Sequence, residues 1–449
     1  MTTPLFQAIR GLDESFSTLS LHADDHLAES YDIAPPIGVS TTFRFPNPDA
    51  TSKNVEGLNG EKLNIYSRES TNIRDRVEAV LGALNEGHAV TYTSGLSAGF
   101  AAVIHLKPNR VAIRTGYHGT HGFLKVYRRH REIDIIDIDD PLADGDLVWL
   151  ESPHNPDGLI YASCLEVSSL DICKVCGYNL HLDIAHYVKK AHAVGAKVLV
   201  DATFAPPPLQ YPFRFGVISY QRLSYEKSPS YDYSSNSDVD IIMHSTTKYF
   251  SGHSDGLGGL LVVKTKEQAD ELCLDRTYMG TVLGSLETWL LLRSIRTLKL
   301  RVVQQSRTAT ALAAWLAEAS GHKEHDGIPA GSIHSVLHAS LQRYPASWDV
   351  QKQHPGGHGA TFSVLLATPA QARLLPLAFQ LMQPATSLGG VESLTEWRYP
   401  VDPLVDQRLV RVSVGLEELQ DLKEDWRRAL KKIIAEAGTE TSRDGEVGV

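Results

Sequence analysis

The stretch MHSTTKYFSGHSDGLGG, residues 243–259, places Lys248 just beyond an apolar run. The hydroxyls of Ser245, Thr246 and Thr247 precede it, and a Gly/His/Ser loop follows. Burial disfavours the charged form of a lysine, so a desolvated amine here becomes a nucleophile able to form a Schiff base. The neighbouring hydroxyls suit a phosphate. In KVLVDATFAPP (197–207), Asp201 ends another apolar run. Open parallel sheets bind ligands at the carboxyl ends of their strands, where an acid can pair with a protonated ring nitrogen. TYTSGLSAGFAAV (91–103) passes from strand to helix at Ser94-Gly95. Helix N-terminal amides bind anions, and Gly95 permits close backbone approach. LVWLESPHNPDG (147–158) ends a further strand with an acid and Asn155, and TGYHGTHG (115–122) offers Tyr117 for stacking on a flat ring. Taken singly, each has an ordinary structural explanation: a solvated lysine, a capping aspartate, a plain strand–helix turn, an aromatic covering the core.

These residues need strands to hold them. The runs HAVTYTS (88–94), RVAIRT (110–115), IDIIDID (133–139), DLVWLES (146–152), KVLVDAT (197–203), DIIMHST (240–246) and GGLLVVK (258–264) are short and rich in Val, Ile and Leu. They read as buried strands. Helical patterns at 97–106 and 183–196 lie between them, so the chain is expected to be α/β with a mostly parallel sheet covered by helices. The long helical stretch 285–319 leads towards a second domain, whose last helix is expected near Leu416–Ala437. The expected organisation is an N-terminal arm over 1–60, a large α/β domain over 61–310, a smaller C-terminal α/β domain over 311–437, and a disordered polar tail over 438–449.

Composition excludes several classes. The chain has 449 residues, 42% hydrophobic and 21% charged, an ordinary globular balance. A net charge of −10 argues against a nucleic-acid partner, and the cluster Arg128, Arg129, His130, Arg131 reads as a solvated face. No apolar run reaches the length of a membrane span, and no secretory signal is visible. Four cysteines make no disulfide framework, so a cytoplasmic location is expected. No Gly-x-x-x-x-Gly-Lys-Ser/Thr loop supports a nucleotide-binding reading.

Together, in this order and at strand ends, the motifs resemble pyridoxal-phosphate enzymes of fold type I, the aspartate-aminotransferase-like fold. More narrowly, they resemble the transsulfuration family of cysteine and methionine metabolism, from about His22 to Ala435. The resemblance implies pyridoxal 5'-phosphate as cofactor, with no metal. It makes Lys248 the Schiff-base lysine, sets Asp201 on the pyridine nitrogen, and stacks Tyr117 on the ring, where it also assists proton transfer. It places Gly95, Leu96, Ser245 and Thr247 at the phosphate, Asn155 at the phenolic oxygen, and Thr203 beside Asp201 in the triplet Asp201-Ala202-Thr203. Tyr66 and Arg68, in IYSRES, match a Tyr-Ser-Arg motif that reaches a neighbouring subunit's cofactor, which implies a homodimer or homotetramer. Arg411, in LVRVSVGLE, matches the arginine that clamps a substrate α-carboxylate, and Ser387, in TSLGGVESL, lines the substrate site. The implied substrate is cystathionine or an O-acylated homoserine, taken through β/γ-elimination or γ-replacement. Replacement by another nucleophile and a catalytically silent homologue are the alternatives.

The chain departs from the family at several positions. Thr71-Asn72-Ile73 stands where Asn-Pro-Thr is usual, and Ala202 replaces the Asn of Asp-Asn-Thr. His118 stands near the position of the cysteine that methionine lyases carry, and Thr386 stands where cystathionine γ-enzymes often have Glu. Two segments, 159–182 and 217–239, interrupt family blocks and have no core periodicity. They are expected to be either translated introns or lineage-specific loops, which sequencing of the spliced transcript separates. The first carries Cys164, Cys173, Cys176 and His181, but no second Cys-x-x-Cys completes a zinc site.

Overall fold

A computed structural model describes residues 15–28, 30–45, 64–160, 183–215, 239–321, 323–342 and 350–444, with side chains as far as 436. The bulk of both interrupting segments, with Cys164, Cys173, Cys176 and His181, lies outside the described residues.

All seven apolar runs form strands of one sheet: β1 His88–Tyr92, β2 Arg110–Ala112, β3 Asp134–Ile136, β4 Leu147–Glu151, β5 Lys197–Asp201, β6 Ile241–Ser245 and β7 Gly259–Val263. Their order is β1-β7-β6-β5-β4-β2-β3. Only β7 runs against its neighbours, pairing antiparallel with both β1 and β6. The runs are continuously apolar because both faces are buried. Val148, Val198, Ile242 and Val262 enter one core, while Leu147, Leu199, Ile241 and Leu261 enter the other. The second core is closed by Ala98, Ala101 and Ala102 of the helix Gly95–Leu106, whose small side chains let it lie close on the sheet.

A second sheet follows: β8 Ile333–Leu337, β9 Thr361–Leu366, β10 Gln383–Pro384, β11 Leu394–Trp397 and β12 Leu409–Ser413, in the order β10-β11-β12-β9-β8. Its register sets Arg411 of β12 directly opposite Glu396 of β11. Phe362, Val364, Val410 and Val412 join the same core as the first face of the large sheet. The packing of both sheets into one core fixes β12 relative to the strand ends of the large sheet.

Two expectations are corrected in detail. The helical stretch 285–319 is two helices, Ser285–Ile295 and Leu298–Ala317. At the break, the Thr297 amide and hydroxyl both donate to the Ser294 carbonyl, at 3.1 and 3.2 Å, and Arg301 donates to the Thr297 hydroxyl at 3.3 Å. The side chain competes with the helical ladder and ends it. The last helix, Leu419–Asp444, continues past Ala437. The departure at Thr71 has a local reason: its hydroxyl accepts from the Arg74 amide and caps the helix Asn72–Leu84.

A buried ion pair ties β1 to its cover. Glu78 accepts from the amide and hydroxyl of Thr91, at 2.9 and 2.7 Å, and from Arg276, whose side chain is 2% exposed. Replacing Arg276 by Met strands a buried carboxylate and is expected to cost about 3–5 kcal/mol in a urea titration. The double variant Glu78→Gln/Arg276→Met is expected to regain part of that loss, because it removes the carboxylate that Arg276 neutralised; the charge of Arg74, which also acts on Glu78, keeps the recovery partial.

Candidate active site

The site stands at the carboxyl ends of β4, β5 and β6. Asp201 closes β5 and lies beside Glu151, its register partner at the end of β4. Asp201 Oδ1 accepts from the Thr203 amide and hydroxyl, at 3.0 and 2.5 Å. The Thr203 hydroxyl accepts in turn from the Ser245 amide at 2.9 Å, which joins the ends of β5 and β6. Asp201 Oδ2 accepts no hydrogen bond among the described residues.

Glu151 was not singled out for a role in the sequence, although it ends an apolar run just as Asp201 does. Its two oxygens accept from the amides of Tyr117 and Asn155, at 2.7 and 2.8 Å, and so fix both loops. Burial pushes Glu151 up to about 7, reinforced by the charge of Asp201. Burial likewise pushes Asp201 up to about 6, against the opposing hydrogen bonds from Thr203.

These two shifts set a sign. The folded state holds protons on both acids more tightly than the unfolded state, whose ordinary values are 4.5 and 3.8. Their contribution is fully present below about pH 4 and is lost as pH rises through about 6 and 7. The cofactor-free protein is therefore expected to lose about 2 kcal/mol or more between pH 5 and pH 7.5, read from urea midpoints. A cation bound against Asp201 is expected to flatten that slope.

Lys248 follows β6, and its Nζ donates to Ser387 Oγ at 2.8 Å. Burial, then the charge of Arg411, lowers the ammonium to about 8. Ser387 sits at φ 80°, a strained conformation for a side-chain-bearing residue. The loop behind it turns through Gly389 at φ 77°, where a Cβ would fall 2.8 Å from the Tyr249 amide nitrogen. Only glycine allows this loop to press onto Lys248-Tyr249.

Arg411 is buried among three acceptors. Its Nη1 donates to Asn155 Oδ1 at 3.2 Å and its Nη2 to the Ser387 carbonyl at 2.9 Å, while Glu396 Oε2 pairs with Nη2 at 2.6 Å. Burial lowers its guanidinium to about 10. Tyr117 stands just before the helix His118–Tyr127, and its ring lies 4.8 Å from that of His118. Burial raises its phenol, and the charge of Arg398 opposes that rise more than any other cation.

At the helix Gly95–Leu106, Ser94 caps the Ser97 amide at 3.0 Å. The amides of Gly95 and Leu96 find no acceptor among the described residues. Gly95 lies against Ser245, where a Cβ would meet the serine Cβ at 2.9 Å. Thr247 Oγ1 exchanges hydrogen bonds with the backbone of Gly258, at 3.2 and 3.1 Å, and holds the loop closed. Tyr66 and Arg68 stand apart. Arg68 stacks over the Tyr66 ring at 5.1 Å, Tyr66 bridges to Thr42, and no hydrogen bond joins either to the cluster among the described residues.

The model of the Cys/Met metabolism PLP-dependent enzymes matches residues 17–221 and 227–431. The chain belongs to this family. It is 30% identical to a cystathionine gamma-lyase of Saccharomyces cerevisiae, over 93% of this chain and 98% of that one. It is also 30% identical to a cystathionine gamma-synthase of Mycobacterium tuberculosis, over 88% and 91%. The crystal structure of metB from Corynebacterium glutamicum superposes with a TM-score of 0.75 at 25% identity, covering 94% of this chain and 99% of that one. The fold is therefore that of the PLP enzymes of fold type I, and the cofactor is pyridoxal 5'-phosphate. The residues present fit it. Two unpaired amides open a helix whose Gly95 lies against Ser245, a buried carboxylate offers one open oxygen, and a buried amine of lowered pKa stands beside an arginine. Among the described residues no helix is long and apolar enough to cross a membrane, and no group of His, Cys, Asp and Glu is arranged to hold a metal ion.

Proposed function

We propose that this chain is a transsulfuration enzyme. It acts on cystathionine or an O-acylated homoserine and breaks or exchanges the bond at the β- or γ-carbon. The observation that carries this reading is the run Lys248 Nζ–Ser387 Oγ at 2.8 Å and Ser387 O–Arg411 Nη2 at 2.9 Å, a low-pKa amine and a carboxylate-binding guanidinium on one residue's two ends. Curated relatives named cystathionine gamma-lyase, gamma-synthase and beta-lyase support it.

When bound, pyridoxal phosphate supplies an aldehyde that captures amines and a ring that takes up the electron pair left at the α-carbon. Lys248 holds the cofactor and then carries the α-proton. Arg411 grips the α-carboxylate, with Ser387 beside it. Asp201, fixed by Thr203, keeps the ring nitrogen protonated. Asn155 orients the ring's phenolic oxygen, and Tyr117 covers its face. Gly95, Leu96, Ser245 and Thr247 hold the phosphate. Tyr66 and Arg68 serve the phosphate of a second copy, so the working form is a homodimer or homotetramer. Their exposure here supports that assignment.

The test is product analysis with cofactor-loaded protein. Cystathionine is expected to yield cysteine or homocysteine, or an O-acylhomoserine with cysteine is expected to yield cystathionine. Turnover in neither assay overturns the reading.

A further inference from the structure

Arg411 meets a carboxylate before any substrate arrives. Glu396, its cross-strand partner, puts Oε2 at 2.6 Å from Nη2 in an ion pair, and a hydrogen of that nitrogen is taken by the Ser387 carbonyl. A two-pronged grip on an incoming carboxylate needs Nη2, so Glu396 occupies a position the substrate requires. Arg398 reaches the same oxygen, with Nη1 at 3.1 Å from Glu396 Oε2. Both side chains are more than nine-tenths buried, and each keeps an unpartnered polar atom, Glu396 Oε1 and Arg398 Nε. An orphaned acceptor beside an orphaned donor is costly in a buried pair unless another arrangement uses both. The charges agree: two guanidinium groups against one carboxylate leave one positive charge for one further carboxylate.

We propose that Glu396 holds the place of the substrate α-carboxylate on Arg411, and that Arg398 is the positioning residue that receives Glu396 when substrate binds. The inference rests on the assignment of Arg411 as the carboxylate clamp. On binding, Glu396 gives up Arg411 Nη2 and pairs with Arg398 through both of its oxygens. Arg398 thus assists binding without touching the substrate.

Calorimetric titration of the cofactor-loaded protein with L-norleucine and with L-norleucinamide, which lacks the carboxylate, tests this. In Arg398→Met, Glu396 has no second partner and competes harder for Arg411. Norleucine is expected to bind about 10-fold more weakly or worse, while the amide is unchanged. Arg398→Lys is expected to fall between. The double variant Glu396→Gln/Arg398→Met removes the competitor and is expected to recover norleucine affinity to within about 3-fold of wild type. A static, merely structural Arg398 predicts no such recovery. Loss that persists in the double variant, equal loss for the amide, or no loss in Arg398→Met overturns the proposal. Arg411→Met reports separately on the underlying assignment: if it leaves the preference for norleucine over the amide intact, Arg411 is not the clamp, and the proposal falls for that reason alone.

Discussion

Lys248→Ala is expected to lower kcat by about 10²–10⁴-fold or more and to remove the visible absorbance that the wild-type protein gains on loading with pyridoxal phosphate. The expectation follows from the lysine's surroundings. Burial and the Arg411 charge bring its ammonium down from 10.5 to about 8, so roughly a tenth of the amine is unprotonated at pH 7, far more than for an ordinary lysine. Its Nζ is aimed by one hydrogen bond, to Ser387 Oγ. No neighbouring side chain offers a second amine among the described residues that line this loop, so nothing replaces it. Lys248→Arg is the sharper control. Arginine keeps a cation of similar reach, but its guanidinium does not deprotonate and is a poor nucleophile. If the lysine served only as a counter-charge to Asp201, arginine would preserve turnover. Turnover in Lys248→Ala within about 10-fold of wild type would remove this residue from the chemistry, as both of its roles there are proton or bond transfer.

Asp201→Asn is expected to lower kcat by about 10²–10³-fold with little change in melting temperature. The substitution is chosen because the local bonding survives it. Thr203 donates twice to Oδ1, and an amide oxygen accepts both bonds. What disappears is the negative charge at Oδ2, the oxygen left open toward the site. Without it the ring nitrogen loses its proton and the ring its capacity to hold an electron pair. The change also favours the fold: an uncharged amide next to Glu151 removes the repulsion that adds to burial in raising that acid. The measurement is kcat alongside thermal melting and the visible spectrum of the loaded protein. A parallel fall in melting temperature and activity would mark Asp201 as structural. Activity within about 3-fold of wild type would show that the ring needs no anion there.

Much of the site was legible along the chain. Lys248, Asp201, Asn155 and the Ser94-Gly95 turn each lie where an apolar run stops, and each run became a strand of the large sheet. The signal is local: a buried strand needs a short continuous apolar stretch, and its end shows as an abrupt change of residue type. Glu151 carried the same mark at the end of β4, but nothing in its neighbours says that its two oxygens hold two separate loops. The break at Arg296-Thr297 was hidden for a similar reason. The apolar period runs through it, and only the positions of Ser294 and Arg301 in space turn the Thr297 hydroxyl against the helix.

By itself, the sequence determined which segments are strands, which of their ends carry acid, amine or hydroxyl, and which family chemistry those ends belong to. Periodicity and strand-end residue types are encoded within a few neighbours, so they survive being read in one dimension. The tertiary structure decided which charges meet. Arg411 matched a carboxylate clamp by resemblance alone; cross-strand register sets Glu396 against it, and Arg398 pairs with Glu396. Register is fixed by packing both sheets into one core, where Val410 and Val412, flanking Arg411, meet residues of the large sheet that lie far away in sequence. The balance of two arginines on one carboxylate is therefore a property of the assembled fold, since no local pattern specifies which strand lies next to which.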